Sequence, residues 1–254
     1  MSAIKKIWIN GISGRMGQKL CELIDKKPQD FSLAGGFAKE GFYDSRTKSF
    51  SKNETEELLN SLFQADLIID FSLPEANKNL RELLARNEAT KIAVLLATTG
   101  LPSKDLEAWS SFSKTHKNIK VLLAPNTSLG ITLLVEHGMS LAKVLLQNGF
   151  DMELIETHHR YKKDAPSGTA LYIKNSIDEN LKQEKISHDD KAIHALRGGG
   201  VFGEHNLRFI SDEEEIEISH RALNRDLFAK GALKLGSWLL QQKPGVYGLK
   251  DVRY

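Results

Sequence analysis

A chain of 254 residues with 41% hydrophobic content is long enough for one large domain or two small ones around a sizeable core. Its 35 basic and 33 acidic residues are scattered and leave a formal charge of +2, which offers no basic field for nucleic acid, and no segment approaches the roughly 18 successive apolar residues of a membrane span. The single cysteine, Cys21, has no partner for an internal disulfide or a thiolate metal cluster and reads as a small buried apolar residue, so a soluble, untargeted, cytoplasmic protein is expected.

A strand candidate at residues 7–9 runs into an amphipathic stretch marked by Met16, Leu20, Leu23 and Ile24. Strand candidates recur at 31–37, 66–72, 92–100 and 121–126, the last three each followed by a helix-like segment, while 42–53 is polar and irregular and reads as a surface loop. Apolar runs without alternation predict strands buried on both faces, hence an α/β architecture with a Rossmann-like parallel sheet. After Gly130 a long helical pattern (Ile131, Leu134, Val135, Met139, Ala142, Leu145, Leu146) leads to a strand at 152–156. The pattern then changes: "AIHALRGGGVFGEHNLRFI" and "EIEISHRAL" are strand-like, predicting a mixed sheet with one or two helices on a face, and the acidic run 212–215 reads as a solvated hairpin turn. A last helix at 227–241 precedes Pro244 and Gly245. The expected organisation is a dinucleotide-binding domain of residues 1–127 plus 235–254 and a substrate-binding and oligomerisation domain of 128–234.

Two segments carry chemistry. "WINGISGRMGQKL" places Gly11, Gly14 and Gly17 between the first strand and the first helix, where a pyrophosphate meets backbone N–H groups and a helix dipole; the bare G-x-x-G-x-x-G spacing also suits an ordinary tight turn. If the second strand ends at Phe37, the next residues are Ala38 and Lys39, an ammonium able to pair with a 2′-phosphate, with Glu40 a rival partner for ribose hydroxyls. "ETHHRYKKDAPSGTA", residues 156–170, crowds His158, His159 and Lys162 ahead of a helix that begins at Ser167, Gly168 and Thr169. Free N–H groups at that helix start suit a carboxylate or phosphate, although N-capping alone would explain the hydroxyls. Zinc binding by the adjacent histidines fits poorly, because neighbours on a strand face opposite ways and no third ligand is evident; no metal is expected. A Ser-His hydrolase fits poorly too, since no G-x-S-x-G elbow occurs.

Together with "DFS" (70–72), "TTG" (98–100), "APNTSLG" (124–130), "RGGGVFGEH" (197–205) and "NRDLFAKGA" (224–232), these segments resemble the 4-hydroxy-tetrahydrodipicolinate reductase (dihydrodipicolinate reductase) family over nearly the whole chain. Ala97, Thr127, Ala38 and Asn224 depart from the residues usual there. The resemblance implies that His158 is the proton donor and Lys162 the second catalytic group, and that His159, Ser167, Gly168 and Thr169 contact a small dicarboxylate. It implies cofactor contacts, to NADPH or NADH, from Gly11, Ile12, Ser13, Gly14, Arg15, Met16, Lys39, Phe71, Ser72, Ala97, Thr98, Thr99, Ala124, Pro125, Asn126 and Thr127. The reaction implied is NAD(P)H-dependent reduction in the diaminopimelate route to lysine, by a homotetramer that binds neither nucleic acid nor membrane. Two alternatives are a dehydrogenase for another dianionic imine or carbonyl compound and a non-catalytic nicotinamide-binding regulator.

Overall fold

The computed structural model describes residues 3–39, 49–50, 56–87, 89–187 and 193–252. Their contacts separate two compact units, one that ends at Thr127 and resumes at Phe228, and one spanning Ser128–Leu227. The return to the first unit, expected at 235, thus falls at Phe228.

The first unit holds β1 (Lys5–Asn10), α1 (Arg15–Asp25), β2 (Phe31–Phe37), β3 (Ser49–Phe50), α2 (Glu56–Phe63), β4 (Leu67–Asp70), α3 (Pro74–Leu84), β5 (Ala93–Leu96), α4 (Ser103–Thr115) and β6 (Lys120–Leu123). Most of α7 (Asp226–Leu240) and then β11 (Gly245–Gly248) complete it. All seven strands are parallel, in the order β11-β6-β5-β4-β1-β2-β3. Every residue of β4 and β5 is buried, which is why their sequences are unbroken apolar runs apart from Asp70. Leu58, Leu62, Ile68, Leu80, Leu84, Val94, Trp109 and Val121 share one core with Trp8. Each such side chain contributes roughly 1.5–3 kcal/mol through burial. Cys21 is buried on α1, as its sequence context suggested.

Two strands escaped the sequence pattern. Ser49 and Phe50, expected in a loop, pair with Gly36 and Phe37 as β3, and Phe50 stacks on Trp8 at 5.7 Å. The chain after Pro244 forms β11, which pairs with β6 along its whole length. Helix α2 likewise lay outside the expected elements. The rest of the expected loop, and Glu40, lie outside the described residues.

The second unit contains α5 (Leu129–Leu145), β7 (Asp151–His158), α6 (Gly168–Gln183), β8 (Ile193–Arg197), β9 (Glu204–Ile210) and β10 (Glu215–Arg221), with sheet order β10-β9-β7-β8. β7 and β8 are parallel and the other pairs antiparallel, the mixed sheet expected. Met152, Leu154, Leu207 and Phe209 of the sheet pack with Ile131, Leu134, Ala170, Ile173 and Ile177 of α5 and α6. Strand β7 is longer than the expected 152–156, because Thr157 and His158 still pair, with Glu204 and Arg197. The acidic run is a turn over its first three residues, whereas Glu215 starts β10 and pairs with Arg208. The most apolar helical stretch is α5 with the turn after it, Leu129–Asn148, in which an 18-residue window reaches a mean hydropathy of 1.5; Glu136, His137 and Lys143 interrupt it, so it holds no run of 18 successive apolar residues. That apolarity serves the core, where Ile131, Leu134, Val135 and Ala142 are buried, while Glu136 and His137 are exposed on the same helix.

Candidate active site

Strand β7 buries alternate residues, and the row that supplies Met152 and Leu154 to the core ends in Glu156 and His158. A carboxylate and an imidazole two residues apart therefore share one face at the carboxyl end of the strand. His158 Nδ1 is hydrogen-bonded to Glu156 Oε2. The other carboxylate oxygen accepts from Arg197 Nη2 at 2.7 Å and from the Ser167 N–H at 3.1 Å. Glu156 is completely buried; burial acts to raise its pKa, but Arg197, His158 and the Ser167 amide outweigh that and hold it below the usual carboxylate range. His158 is pushed below its ordinary value, by burial first, opposed by Glu156 and reinforced by Lys162 and Arg197. His205, on the β9 residue paired with Glu156, stands edge-on to His158 at 5.3 Å and is driven by burial down to about 3, so it is neutral.

The chain leaves β7 through His159, whose N–H donates to Val201 O at 2.7 Å. Lys162 is tied to the carboxylate of Asp164 at 2.9 and 2.8 Å. Asp164 also accepts from the Gly168 N–H, and these contacts hold its carboxyl below its usual range against the opposing effect of burial. The Ser167 hydroxyl caps α6 by accepting from Ala170 N at 3.1 Å and lies 3.4 Å from His205 Nε2. The helix start expected to receive an anion thus already holds one, the protein's own Asp164, which stands where a ligand carboxylate would. Glu156, His158 and His205 bring possible metal-ligand atoms within 4.8 Å of one another. Arg197 and the Ser167 amide occupy the carboxylate that a cation would need, so the cluster suits a proton and not a metal ion.

In the first unit the cofactor candidates lie past the carboxyl ends of strands: Gly11, Ile12, Ser13 and Gly14 after β1, with Arg15 and Met16 opening α1, Lys39 after β2, Phe71 and Ser72 after β4, Ala97, Thr98 and Thr99 after β5, and Ala124, Pro125, Asn126 and Thr127 after β6. The sheet reverses its strand order at β1 and β4, where such a crevice binds ligands. Gly11 has φ +86°, and a Cβ there would meet Phe71 O at 3.1 Å. Gly14 caps α1 in extended conformation and has no side chain to consume the first-turn N–H groups of Arg15 and Met16. The Ile12 side chain is wholly buried and its N–H donates to Phe37 O at 2.8 Å, so Ile12 anchors the loop. The Lys39 N–H donates to Ser13 Oγ at 2.8 Å, fastening the end of β2 to the glycine loop. Ala97, Thr98, Ala124, Asn126 and Thr127 are buried, while Thr99 and Pro125 are exposed. A cavity of about 460 Å³ opens at the carboxyl ends of β1 and β2 against α3, lined by Asn10, Phe37, Ala38, Leu73, Glu75 and Arg86 among others. A glycine cradle, an uncapped helix start and this cavity together fit a dinucleotide.

Glu156, Asp164, Arg197 and His205 have no role in the sequence reading. The two-residue period of a strand was a sufficient signal for Glu156. Arg197 and His205 reach the cluster only through strand pairing, opposite His158 and Glu156, which a single sequence does not display.

Residues 5–127 match the family profile "Dihydrodipicolinate reductase, N-terminus" and residues 130–252 match "Dihydrodipicolinate reductase, C-terminus". The chain is 38% identical over 260 residues to the 4-hydroxy-tetrahydrodipicolinate reductase of Caldanaerobacter subterraneus subsp. tengcongensis, covering 97% of both chains. It is 36% identical over 266 residues to that of Aquifex aeolicus, covering 97% of this chain and 98% of the relative. A dipicolinate-bound dihydrodipicolinate reductase from Paenisporosarcina sp. TG-14 shares the fold, with a TM-score of 0.77 at 22% identity over 99% of this chain and 100% of that one. A C. glutamicum DAP dehydrogenase in complex with DAP superposes with a TM-score of 0.58 at 11% identity, covering 100% and 95%.

Proposed function

The chain belongs to the dihydrodipicolinate reductase family, and on that premise we propose that it reduces 4-hydroxy-tetrahydrodipicolinate to tetrahydrodipicolinate with NAD(P)H, in the diaminopimelate route to lysine. The observation that carries this reading is the cluster at the end of β7: a buried imidazole on a carboxylate, an ammonium and a helix N-terminus, gathered on 14 consecutive positions from Glu156 to Thr169. That set suits a small dianion that must be bound and protonated.

When bound, the reduced nicotinamide supplies a hydride to the substrate ring. The substrate loses its hydroxyl as water, and one proton reaches the ring carbon beside the one that accepts hydride, so NAD(P)H and a proton are consumed and NAD(P)⁺ and water released. His158 Nε2 delivers that proton. Lys162 leaves Asp164 to pair with a substrate carboxylate and stabilises negative charge during transfer, while His159 and the Gly168 and Thr169 end of α6 hold the dicarboxylate. Ser167 shapes this turn through its cap.

For the cofactor we favour NADPH at least as much as NADH: β2 ends at Phe37, no carboxylate stands at Ala38, and Lys39 is fastened to Ser13 of the phosphate loop. A homotetramer in the cytoplasm completes the proposal. Its structural support is the outward face of the four-stranded sheet, where Glu153, His194, Leu196, Arg208 and Glu217 lie on the side away from the α5 and α6 core of their unit. The test is His158→Gln, expected to lower turnover by about 10²- to 10⁴-fold with NADPH affinity near wild type. Unchanged turnover would overturn the reading.

A further inference from the structure

Glu156 has no place in the reaction as described so far, yet among the described residues of the second unit it is the most completely enclosed charge. Its three side-chain contacts are directional. Oε2 takes His158 Nδ1, while Oε1 takes both Arg197 and the amide of Ser167, the residue that caps α6. One carboxylate therefore ties the imidazole to the turn that opens the anion-binding helix. The opposite ring nitrogen, His158 Nε2, lies against Gly203: a Cβ at that position would sit 2.9 Å from Nε2, and φ of +157° there also favours glycine. Gly203 thus keeps Nε2 uncovered while Glu156 occupies Nδ1.

We propose that Glu156 is the positioning residue for His158, a carboxylate that fixes the Nδ1–H tautomer, aims Nε2 away from the core and sustains the imidazolium from which the proton is delivered. The proposal rests on the reading of His158 as proton donor. A neutral imidazole held this way carries its lone pair on Nε2, takes a proton there from solvent, and passes the same proton to the substrate carbon, which returns the imidazole to its neutral form. Glu156 stays ionised throughout, since Arg197 and the Ser167 amide oppose its protonation. The charged or titratable groups facing His158 are Glu156 on its own strand, Lys162 in the following turn, Arg197 on β8 and His205 on β9. Burial is the largest influence and lowers its pKa, Glu156 raises it, and Lys162 and Arg197 lower it further; His205 is neutral.

The sign of the pH effect follows. A proton donor works in its protonated form, so turnover falls as pH rises through the His158 pKa. Glu156→Gln removes the one favourable charge and should move this alkaline limb to lower pH by about 1–3 units. Arg197→Met removes an unfavourable charge and should move the limb the other way. A purely structural role for the network would not give shifts of opposite sign.

The experiment is the pH profile of kcat for wild type, Glu156→Gln, Arg197→Met and His158→Gln. It is paired with ¹⁵N NMR of the His158 ring in the wild-type protein, where protonated Nδ1 is expected in the neutral form. Glu156→Asp should recover part of the limb position. An inactive His158→Gln beside limbs that stay put, or move together, in the other two variants would overturn the positioning role and leave the function intact. A fully active His158→Gln would overturn the function itself. Should Glu156→Gln fail to fold, the Arg197→Met shift and the wild-type ring spectrum decide, and a neutral His158 protonated on Nε2 would overturn the proposal.

Discussion

The phosphate loop makes a sharp prediction at Gly17, the third glycine of the motif. Gly17 lies inside α1, and a Cβ built on it would stand 2.4 Å from Gly11 O and 2.6 Å from both Cα and O of Ile12. These are backbone atoms with no rotamer to yield, so Gly17→Ala must push the loop and the helix apart by about 0.6 Å to restore a 3.0 Å contact. Overpacking of this kind costs up to about 3 kcal/mol, whereas replacing a helical glycine with alanine recovers about 1, which leaves a net loss of about 2. For a chain of this size that corresponds to a melting temperature lower by about 4–8 °C. The displaced atoms belong to the loop that would carry the pyrophosphate, so NADPH affinity should fall by about tenfold or more, equivalent to about 1.4 kcal/mol. Thermal melts with and without NADPH and a fluorescence titration measure both. Gly14→Ala is the stability control, since its Cβ would meet only Gly11 O at 3.1 Å and its φ of −77° suits alanine, so a change within about 0.5 kcal/mol is expected. A Gly17→Ala protein that melts at or above wild type would refute the reasoning.

Lys39→Ala should reduce kcat/KM for NADPH several-fold while leaving NADH nearly unaffected, because an exposed ammonium pair is worth about 1 kcal/mol or less; equal effects on both cofactors would remove Lys39 from 2′-phosphate recognition. Asp164→Asn removes the internal anion from Lys162 and the Gly168 amide, and with Asp164 58% exposed the gain is again at most about 1 kcal/mol, so dipicolinate should bind up to about fivefold tighter in a calorimetric titration. Weaker binding in that variant would mean that Asp164 holds the turn in shape and does not compete with the ligand.

The parallel sheet was legible because strands covered on both faces cannot alternate, so β4, β5 and β6 stood out as apolar runs. β3 and β11 did not, for a physical reason: β3 is two residues long, and β11 is "GVYG", an edge strand whose four residues are all only partly buried. Neither offers enough apolar surface to leave a pattern. Helix α5 was legible as well, since Ile131, Leu134, Val135 and Ala142 recur at helical spacing on the face that its unit buries. At the site, residues contributed by one stretch of chain were readable: His158, His159, Lys162 and the Ser167 cap are local. What could not be read was charge balance, because Arg197 and His205 join the cluster through pairing across β7, 39 and 49 positions from their partners His158 and Glu156.

That balance separates the two carboxylates of the cluster. Glu156 is enclosed, with both oxygens committed to Arg197, His158 and the Ser167 amide, and a buried carboxylate so held cannot move without stranding Arg197 in turn. Asp164 makes contacts of the same kind, to an ammonium and a helix N-terminal amide, but from a largely exposed position where water compensates it on leaving. An arriving dianion therefore meets one counterion that it can replace and one that it cannot. The replaceable one frees the groups that would grip a carboxylate, and the fixed one keeps the imidazole oriented while that exchange takes place. The crowding of cations ahead of α6 is thus resolved within the chain itself, at the helix start by Asp164 and beneath it by Glu156.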